Sequence, residues 1–416
     1  MSPVAQLRSL HGRLGRATVA RVAGDYRSVI IGASGGRARH HALAYRHQRR
    51  AKLVAVSART ADKRDALADA HGVAARYDDY REMLAREQPD VVHVNTPPDA
   101  RLELLEQIAA AGVPAAIIEK PIAIDGPDCA ALAAFARTSP LKVAVNHQLH
   151  YHAPRRRLQR LVADGAIGAV RLIDASTGMN AAYQGTHALQ SIFAFAGGAQ
   201  PAAVFGQAAG TEGLQPSPRN HFAPDDLLAA IDFDGGLRAV LRCGGGAPRL
   251  TEAPRDAREA VWGHKRITVY GERGHVTWTM WSWETLLDGR LERGEHDYWE
   301  HDAPAESALV DSVLDWIESA RPLREPKHAL RETKHALGNP EHDGNGGSGI
   351  PGRKTLADQG AKPDHPLALA EATAQYAVLL AAYRSATERR PLALPADDES
   401  PAIDALRAAL SPAAPS

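Results

Sequence analysis

The sequence predicts an α/β protein: a parallel sheet covered on both faces, then an α/β domain built on a large, mostly antiparallel sheet. Three observations carry this. From Ser28 to about residue 150, short apolar runs alternate with amphipathic stretches, the rhythm of a doubly covered parallel sheet. From about 202 to 280, strand-like segments dominate and are joined by Gly-containing turns, which suggests antiparallel pairing. The chain has 416 residues, 44% of them hydrophobic and 24% charged, enough to bury a large core in two to three domains of roughly 150 residues each.

The elements follow in order. Residues 1–27 form an Arg-containing extension with Leu7, Leu10 and Leu14 at helical spacing and no chemistry in it. Ser28-Val29-Ile30-Ile31 is the first strand, feeding a Gly-rich turn and a helix from about Ala38 to His47. Strands are expected at 53–56, 91–94, 115–118 and 142–145, with helices at 61–71, 99–112 and 127–137. A helix at 154–164 leads into a strand at 170–173. Later strands are read at 227–233, 237–242, 267–270 and 275–281, and helices return at 305–319 and 366–388. These readings divide the chain into the extension 1–27, a first domain 28–150, a second domain 151–395 and a tail 396–416. Residues 338–365, with Gly344-Asn345-Gly346-Gly347-Ser348-Gly349, have the composition of a flexible loop. The Pro/Ala-rich tail is expected to be loosely held.

Composition narrows the function classes. Lys and Arg number 49, Asp and Glu 49, so the net charge of zero gives no reason to expect nucleic-acid binding. No apolar run approaches the 18 or so residues of a membrane-spanning helix, and the N-terminus lacks a signal-peptide core. Cys129 and Cys243 are too few for a disulfide framework and too isolated for a structural zinc site. A cytoplasmic setting is the default expectation.

The first candidate site is the turn after the first strand, Gly32-Ala33-Ser34-Gly35-Gly36-Arg37. Glycines there let the backbone approach a pyrophosphate at the start of a helix. A strict G-x-G-x-x-G would need Gly at 34 and 37, where Ser and Arg stand, so an ordinary tight turn is the plainer alternative. The second strand ends Ser57-Ala58-Arg59-Thr60, without the carboxylate that holds a ribose 2′-hydroxyl in NAD sites. A guanidinium between two hydroxyls suits a 2′-phosphate, so NADP is favoured and NAD left possible; the alternative is a solvated surface Arg. Glu119-Lys120-Pro121 follows a strand at its carboxyl end, where an ammonium can stabilise an alkoxide. His187, in Tyr183-Gln184-Gly185-Thr186-His187, is a candidate proton-transfer group. The cluster His147, His150, His152 has no Cys or clear carboxylate nearby to complete it, and no metal is assigned.

Taken in order, these motifs resemble the Gfo/Idh/MocA family, from about Ser28 to Pro395 with an interruption at 338–365. With one residue inserted, Gly32 to His41 is similar to that family's Gly-rich turn, its later His falling on His41. Thr96-Pro97-Pro98 resembles the T-P-x turn beside the nicotinamide ribose, although the His often found after it is Arg101. Glu119-Lys120-Pro121 resembles the E-K-P whose Lys is catalytic. Leu161–Gly168, Tyr383–Ala386 and Arg390–Pro395 resemble the start of the second domain, the closing helix and the tail. The second-domain motif D-x-G-x-H-x-x-D keeps Gly185 and His187, but Tyr183 and Gln190 stand at its two acids, which removes the anionic partners that would raise the imidazole's pKa.

The resemblance implies a Rossmann-type first domain, a substrate cleft between the domains and a homo-oligomer formed through the second sheet. It implies an NAD(P)-dependent oxidoreductase acting on a secondary hydroxyl or ketone of a sugar, cyclitol or related polyol. Lys120 would stabilise the oxyanion, and His187, with Tyr183 sharing or taking over, would handle the proton. Gly32, Ser34, Gly35, Gly36, Arg37, Ser57, Arg59, Thr60, Thr96, Pro97, Glu119 and Lys120 would hold the cofactor. Two alternatives stay open: a redox-neutral reaction such as epimerisation or glycoside cleavage on a tightly held nucleotide, and a non-catalytic nucleotide-binding regulator.

Overall fold

The computed structural model describes residues 26–254, 260–319, 365–396 and 400–411. The segment before Tyr26 and all but the last residue of the loop expected at 338–365 lie outside the described residues. Six strands, β1 (Tyr26–Ile31), β2 (Ala51–Ser57), β3 (Ala75–Tyr77), β4 (Val91–Val94), β5 (Ala115–Ile118) and β6 (Lys142–Val145), form a parallel sheet in the order β3-β2-β1-β4-β5-β6. Every residue of β4 and β5 is buried, which is why their sequences, apart from His93, are apolar rather than alternating. The order reverses between β1 and β4. That switch point opens a crevice beyond the strand ends, flanked by the Gly-rich turn after β1 and by Thr96-Pro97 after β4.

Helices α1 (Ala38–Ala44), α2 (Ala61–His71), α3 (Tyr80–Glu87), α4 (Arg101–Ala110) and α5 (Gly126–Thr138) connect the strands. On one face, Leu104, Leu105, Ile108 and Leu132 pack with Val92, Val94 and Ile118. Part of the other face is covered from far along the chain. In α8 (Tyr298–Ser319), Leu309, Val310, Val313 and Leu314 pack with Ala115, Ile117 and Ala144. The first strand begins at Tyr26, two residues earlier than read from sequence; its buried ring reaches Glu318 of α8, donating from its hydroxyl at 2.7 Å.

After α6 (Ala153–Ala163) the second sheet begins. Its strands are β7 (Val170–Thr177), β8 (Pro201–Ala209), β9 (Asp226–Phe233), β10 (Arg238–Cys243), β11 (Lys265–Gly271), β12 (Gly274–Thr279), β13 (Ser282–Leu287), β14 (Arg290–Glu295) and β15 (Leu392–Ala393). They lie in the order β14-β13-β12-β11-β7-β10-β9-β8-β15, antiparallel throughout except for the β7–β10 pair. Alternation is clean in β9, where Leu227, Ala229, Ile231 and Phe233 point inward. Helices α7 (Thr186–Phe195) and α9 (Leu369–Glu388) share the core cluster with these residues. The opposite face leaves Leu172, Leu228 and Tyr270 exposed.

The tail differs from expectation. Helix α10 (Ile403–Leu410) buries Ile403 and Leu406, and the backbone N–H groups of Ala402 and Ile403 donate to the Asp125 carboxylate at 2.8 and 3.0 Å. An amphipathic helix bonded to a fixed carboxylate is anchored, whatever its Pro/Ala content. Among the described residues no helix is long and apolar enough to cross a membrane.

Candidate active site in the cleft between the sheets

Two cavities share one wall. The inner, about 480 Å³, is lined by Gly35, Gly36, Arg37, Lys120, Tyr183 and His187 among others. The outer, about 710 Å³, is lined by Gly32, Ser34, Gly35, Ser57, Arg59 and Thr60. Gly35, Asn95, Thr96 and Pro97 belong to both, so the pair forms one elongated crevice across the switch point.

The turn that floors it depends on Gly32. Its φ of +84° is left-handed, and a Cβ there would stand 2.9 Å from the backbone of Asn95. Its N–H and that of Ala33 donate to the Ser57 carbonyl at 2.9 and 3.0 Å, tying β1's end to β2's. In the shared wall, both polar ends of the Asn95 side chain and the Thr96 hydroxyl are buried without partners. Orphaned buried groups of this kind call for a polar ligand, and the donor-lined, glycine-floored crevice fits a dinucleotide. Arg101, in place of the family's His, is buried beneath the turn and donates to the Thr96 carbonyl at 2.9 Å.

Glu119 faces away from the open cavity into a buried network. Its carboxylate accepts from His41 Nε2 and Asn146 Nδ2 at 2.8 Å and from Arg37 at 3.3 Å. Burial opposes ionisation of Glu119, but Arg37 and His41 outweigh it and hold the carboxyl well below its usual range. The chain continues from His41 to His93 (2.8 Å) and on to the Tyr45 hydroxyl (2.7 Å). Lys120, next in sequence, turns into the cavity and donates to the Tyr183 carbonyl. Burial lowers its pKa to about 8, against the pull of Glu119.

The second sheet's contribution comes through one irregular turn. Ala181–Gly185 is π-helical and runs directly into α7, so residues 183, 184 and 187 all face the cavity. Gly185 is required there: a Cβ would meet Cys243 Sγ at 2.7 Å. The Asn180 side chain caps the turn by accepting from the Tyr183 N–H at 3.1 Å. His187 is buried, and its Nδ1 lies 3.2 Å from Nδ1 of His147. Burial, then the neighbouring His147, Lys120 and Lys265, push its pKa well below the ordinary value, so the ring is neutral. Gln190 lies behind the cavity, accepting from Arg155 and bonded to His150, each at 3.1 Å. The three histidines of the 147–152 cluster thus go to separate partners, His147 to His187, His150 to Gln190 and His152 to Trp278.

Residues 26–147 match the profile described as "Oxidoreductase family, NAD-binding Rossmann fold". Over this domain the chain is similar to the Gfo/Idh/MocA oxidoreductases. Over 143 residues it is 31% identical to D-apiose dehydrogenase of Paraburkholderia graminis, covering 34% of this chain and 38% of that one. Over 123 residues it is 32% identical to dTDP-3,4-didehydro-2,6-dideoxy-alpha-D-glucose 3-reductase of Streptomyces violaceoruber, covering 30% and 35%. The alignment thus spans little more than a third of each curated relative. In three dimensions the likeness extends further. An Agrobacterium radiobacter oxidoreductase crystallised with NAD+, L-tartaric acid and magnesium superposes with a TM-score of 0.66 over 88% of this chain and 98% of that one, at 16% identity.

The three residues expected to do chemistry (Lys120, Tyr183 and His187) converge on one volume, and the expected cofactor residues line the crevice. Several lining residues were not anticipated. His221 packs edge-on to Tyr183 with ring centroids 5.0 Å apart, and Arg219 sits 5.9 Å from the same ring. Lys265, Trp262, Tyr298 and Trp299 form the far wall. They come from loops and edges whose facing has no period in the sequence. Asp78 and Asp79 also reach the outer cavity, but Asp78 pairs with Arg64, and Asp79 caps α3 by accepting from the Arg81 N–H at 2.8 Å.

Proposed function

We propose that this protein is an NAD(P)-dependent oxidoreductase acting on a secondary hydroxyl or ketone of a sugar, cyclitol or related polyol. The observation that carries the reading is the meeting of Lys120, Tyr183 and His187 in one cavity continuous with a glycine-floored crevice. The relatives named as sugar dehydrogenase and sugar reductase point to the same substrate class.

Bound in the crevice, a nicotinamide dinucleotide would supply the hydride donor or acceptor. The chain's own part is positioning and charge. Gly32, Ser34, Gly35, Gly36 and Arg37 would hold the dinucleotide's phosphates, and Asn95, Thr96 and Pro97 would hold its nicotinamide half. Glu119 acts from behind, fixing Arg37 and the base of Lys120. At the outer end, Ser57, Arg59 and Thr60 favour NADP, because both nearby acids are engaged by arginine or by a helix start. The Lys120 ammonium stabilises oxygen charge at the reacting carbon. His187, with the Tyr183 hydroxyl beside it, gives or takes the hydroxyl proton.

The exposed apolar side chains Leu172, Leu228 and Tyr270 on the open face of the second sheet support a homo-oligomer. The unit boundaries 28–150 and 151–395 serve this reading, with α8 returning from the second unit to close the first.

The test is absorbance of the nicotinamide with purified protein, NADP(H) or NAD(H), and a panel of polyols and ketoses. Substrate-dependent hydride transfer that falls by about 10²-fold in Lys120→Ala supports the reading. Transfer that is absent across the panel, or unchanged in the variant, overturns it.

A further inference from the structure

The far wall of the inner cavity holds a buried lysine that makes no ion pair among the described residues. Lys265 opens β11, is 7% exposed, and lies with its ammonium 5.7 Å from the Tyr298 ring centroid. Among the described residues no carboxylate lies within ion-pair reach of it and no hydrogen bond is made by its ammonium. The acids near the cavity are already engaged. Glu119 is held by Arg37, His41 and Asn146; Asp302 by His40 (3.1 Å), Gln148 (3.1 Å) and the Tyr298 hydroxyl (2.8 Å). Lys120 and the exposed Arg219 add further positive charge at the same cavity.

A buried ammonium without a counter-ion is costly: burial, then the charge of Lys120, lowers the Lys265 pKa to about 7, so an anionic ligand beside it would favour the charged form. The cofactor phosphates do not need it, since the glycine turn and Arg37 already offer them donors. We propose that Lys265 is a specificity-determining residue that receives a carboxylate of the substrate, making the substrate class a sugar acid rather than a neutral polyol. This rests on the oxidoreductase reading above and narrows it. A carboxylate matches the wall in charge and in size: one negative charge for one buried ammonium, bordered by Trp262, Met179 and Met280. A phosphate dianion would bring a second charge that only Lys120, already assigned to the reacting oxygen, or the exposed Arg219 could meet.

The experiment pairs neutral and acidic sugars that share their hydroxyl pattern: D-glucose with D-glucuronate, and sorbitol with D-gluconate, with D-glucose 6-phosphate as a third arm. Initial rates with NADP+ give kcat/KM for each; tryptophan quenching, with Trp262 and Trp299 in the cavity wall, gives binding without turnover. The acid of each pair should be preferred at least tenfold, and Lys265→Met should cut that preference by 10- to 100-fold, the range of a lost charge-assisted hydrogen bond. Lys265→Gln repeats the test should the methionine variant not fold, and Lys265→Arg should restore part of the preference. Equal use of both members, preference for the phosphate, or a preference unmoved by Lys265 substitution overturns the proposal and leaves the oxidoreductase reading intact. Lys265-dependent quenching by the acids with no hydride transfer from any sugar does the reverse. Neither transfer nor quenching overturns both.

Discussion

His147 Nδ1 and His187 Nδ1 face each other at 3.2 Å, the two rings nearly perpendicular at 83°. Facing ring nitrogens bond only if one carries the proton and the other accepts, so the two tautomers are fixed relative to each other. Where the family motif would place carboxylates near the histidine, this chain supplies a second neutral imidazole. Burial, and then the charge of Lys120, lower the His147 pKa to about 3.

The pair therefore predicts an unusual pH profile. Replacing His147 by Asp puts an anion beside His187, and an anion favours the imidazolium. The acid limb of kcat/KM should move upward in His147→Asp, while His187→Ala should lose about 10²- to 10⁴-fold in turnover across the range. Initial rates from pH 5 to 9 check both. An acid limb that stays put in His147→Asp would remove His147 from the proton path.

Lys120 sets the other limb. Its pKa, lowered by burial to about 8, means that its ammonium is present below that pH and lost above it. An ammonium is what stabilises a developing alkoxide, so ketone reduction should fall as pH rises through about 8. Lys120→Arg, which stays charged, should abolish that limb even as its bulk lowers the maximum rate. The measurement is kcat/KM for reduction between pH 7 and 10.

The cofactor preference is decided at the outer end of the crevice. Arg59 is exposed, and Ser57 and Thr60 line the same cavity. A bidentate contact to a 2′-phosphate predicts that Arg59→Ala weakens NADP binding by about 10- to 100-fold, within the range of a charge-assisted hydrogen bond. NAD binding should change little. Titration of both nucleotides against intrinsic fluorescence separates the two, and equal losses for both would deny Arg59 its selective role.

Much of this was legible in the sequence. The runs at 91–94 and 115–118 are strands at those residues because a doubly covered sheet wants apolar rather than alternating stretches, with His93 the one polar residue among them. The glycine turn and Lys120 could be placed because each follows such a run. What lay hidden has no local signature. The strand Ala75–Tyr77 is three half-buried or exposed residues. Helix α7 shows no amphipathic stripe because eight of its ten residues are buried. Asn146 and Glu306 reach the Glu119 network from 27 and 187 residues away, the first through the pairing of β6 with β5 and the second through the return of α8 onto the first sheet. The anchoring of the tail through Asp125 is likewise a tertiary event that composition does not announce.

Acid stability is the last consequence of burying so many imidazoles. Burial pushes the pKa of His147 and His150 to about 3, and those of His93, His152 and His187 below the usual value as well. In the unfolded chain each would take up a proton near pH 6.5; in the folded protein each stays neutral to much lower pH. The unfolded state therefore binds more protons below pH 6.5, so folding stability is fully present above that pH and is lost as the pH falls from 6.5 toward 3. Each such histidine adds a slope of at most about 1.4 kcal/mol per pH unit, and two or three acting together rival a typical folding stability of about 5–15 kcal/mol within two units. Denaturant midpoints measured from pH 7.5 to 4.5 should fall steeply below 6.5, and His150→Asn, which removes one such group behind the cavity, should flatten the fall. A stability that holds level down to pH 4.5 would mean that these rings reach water or a counter-ion in the folded protein.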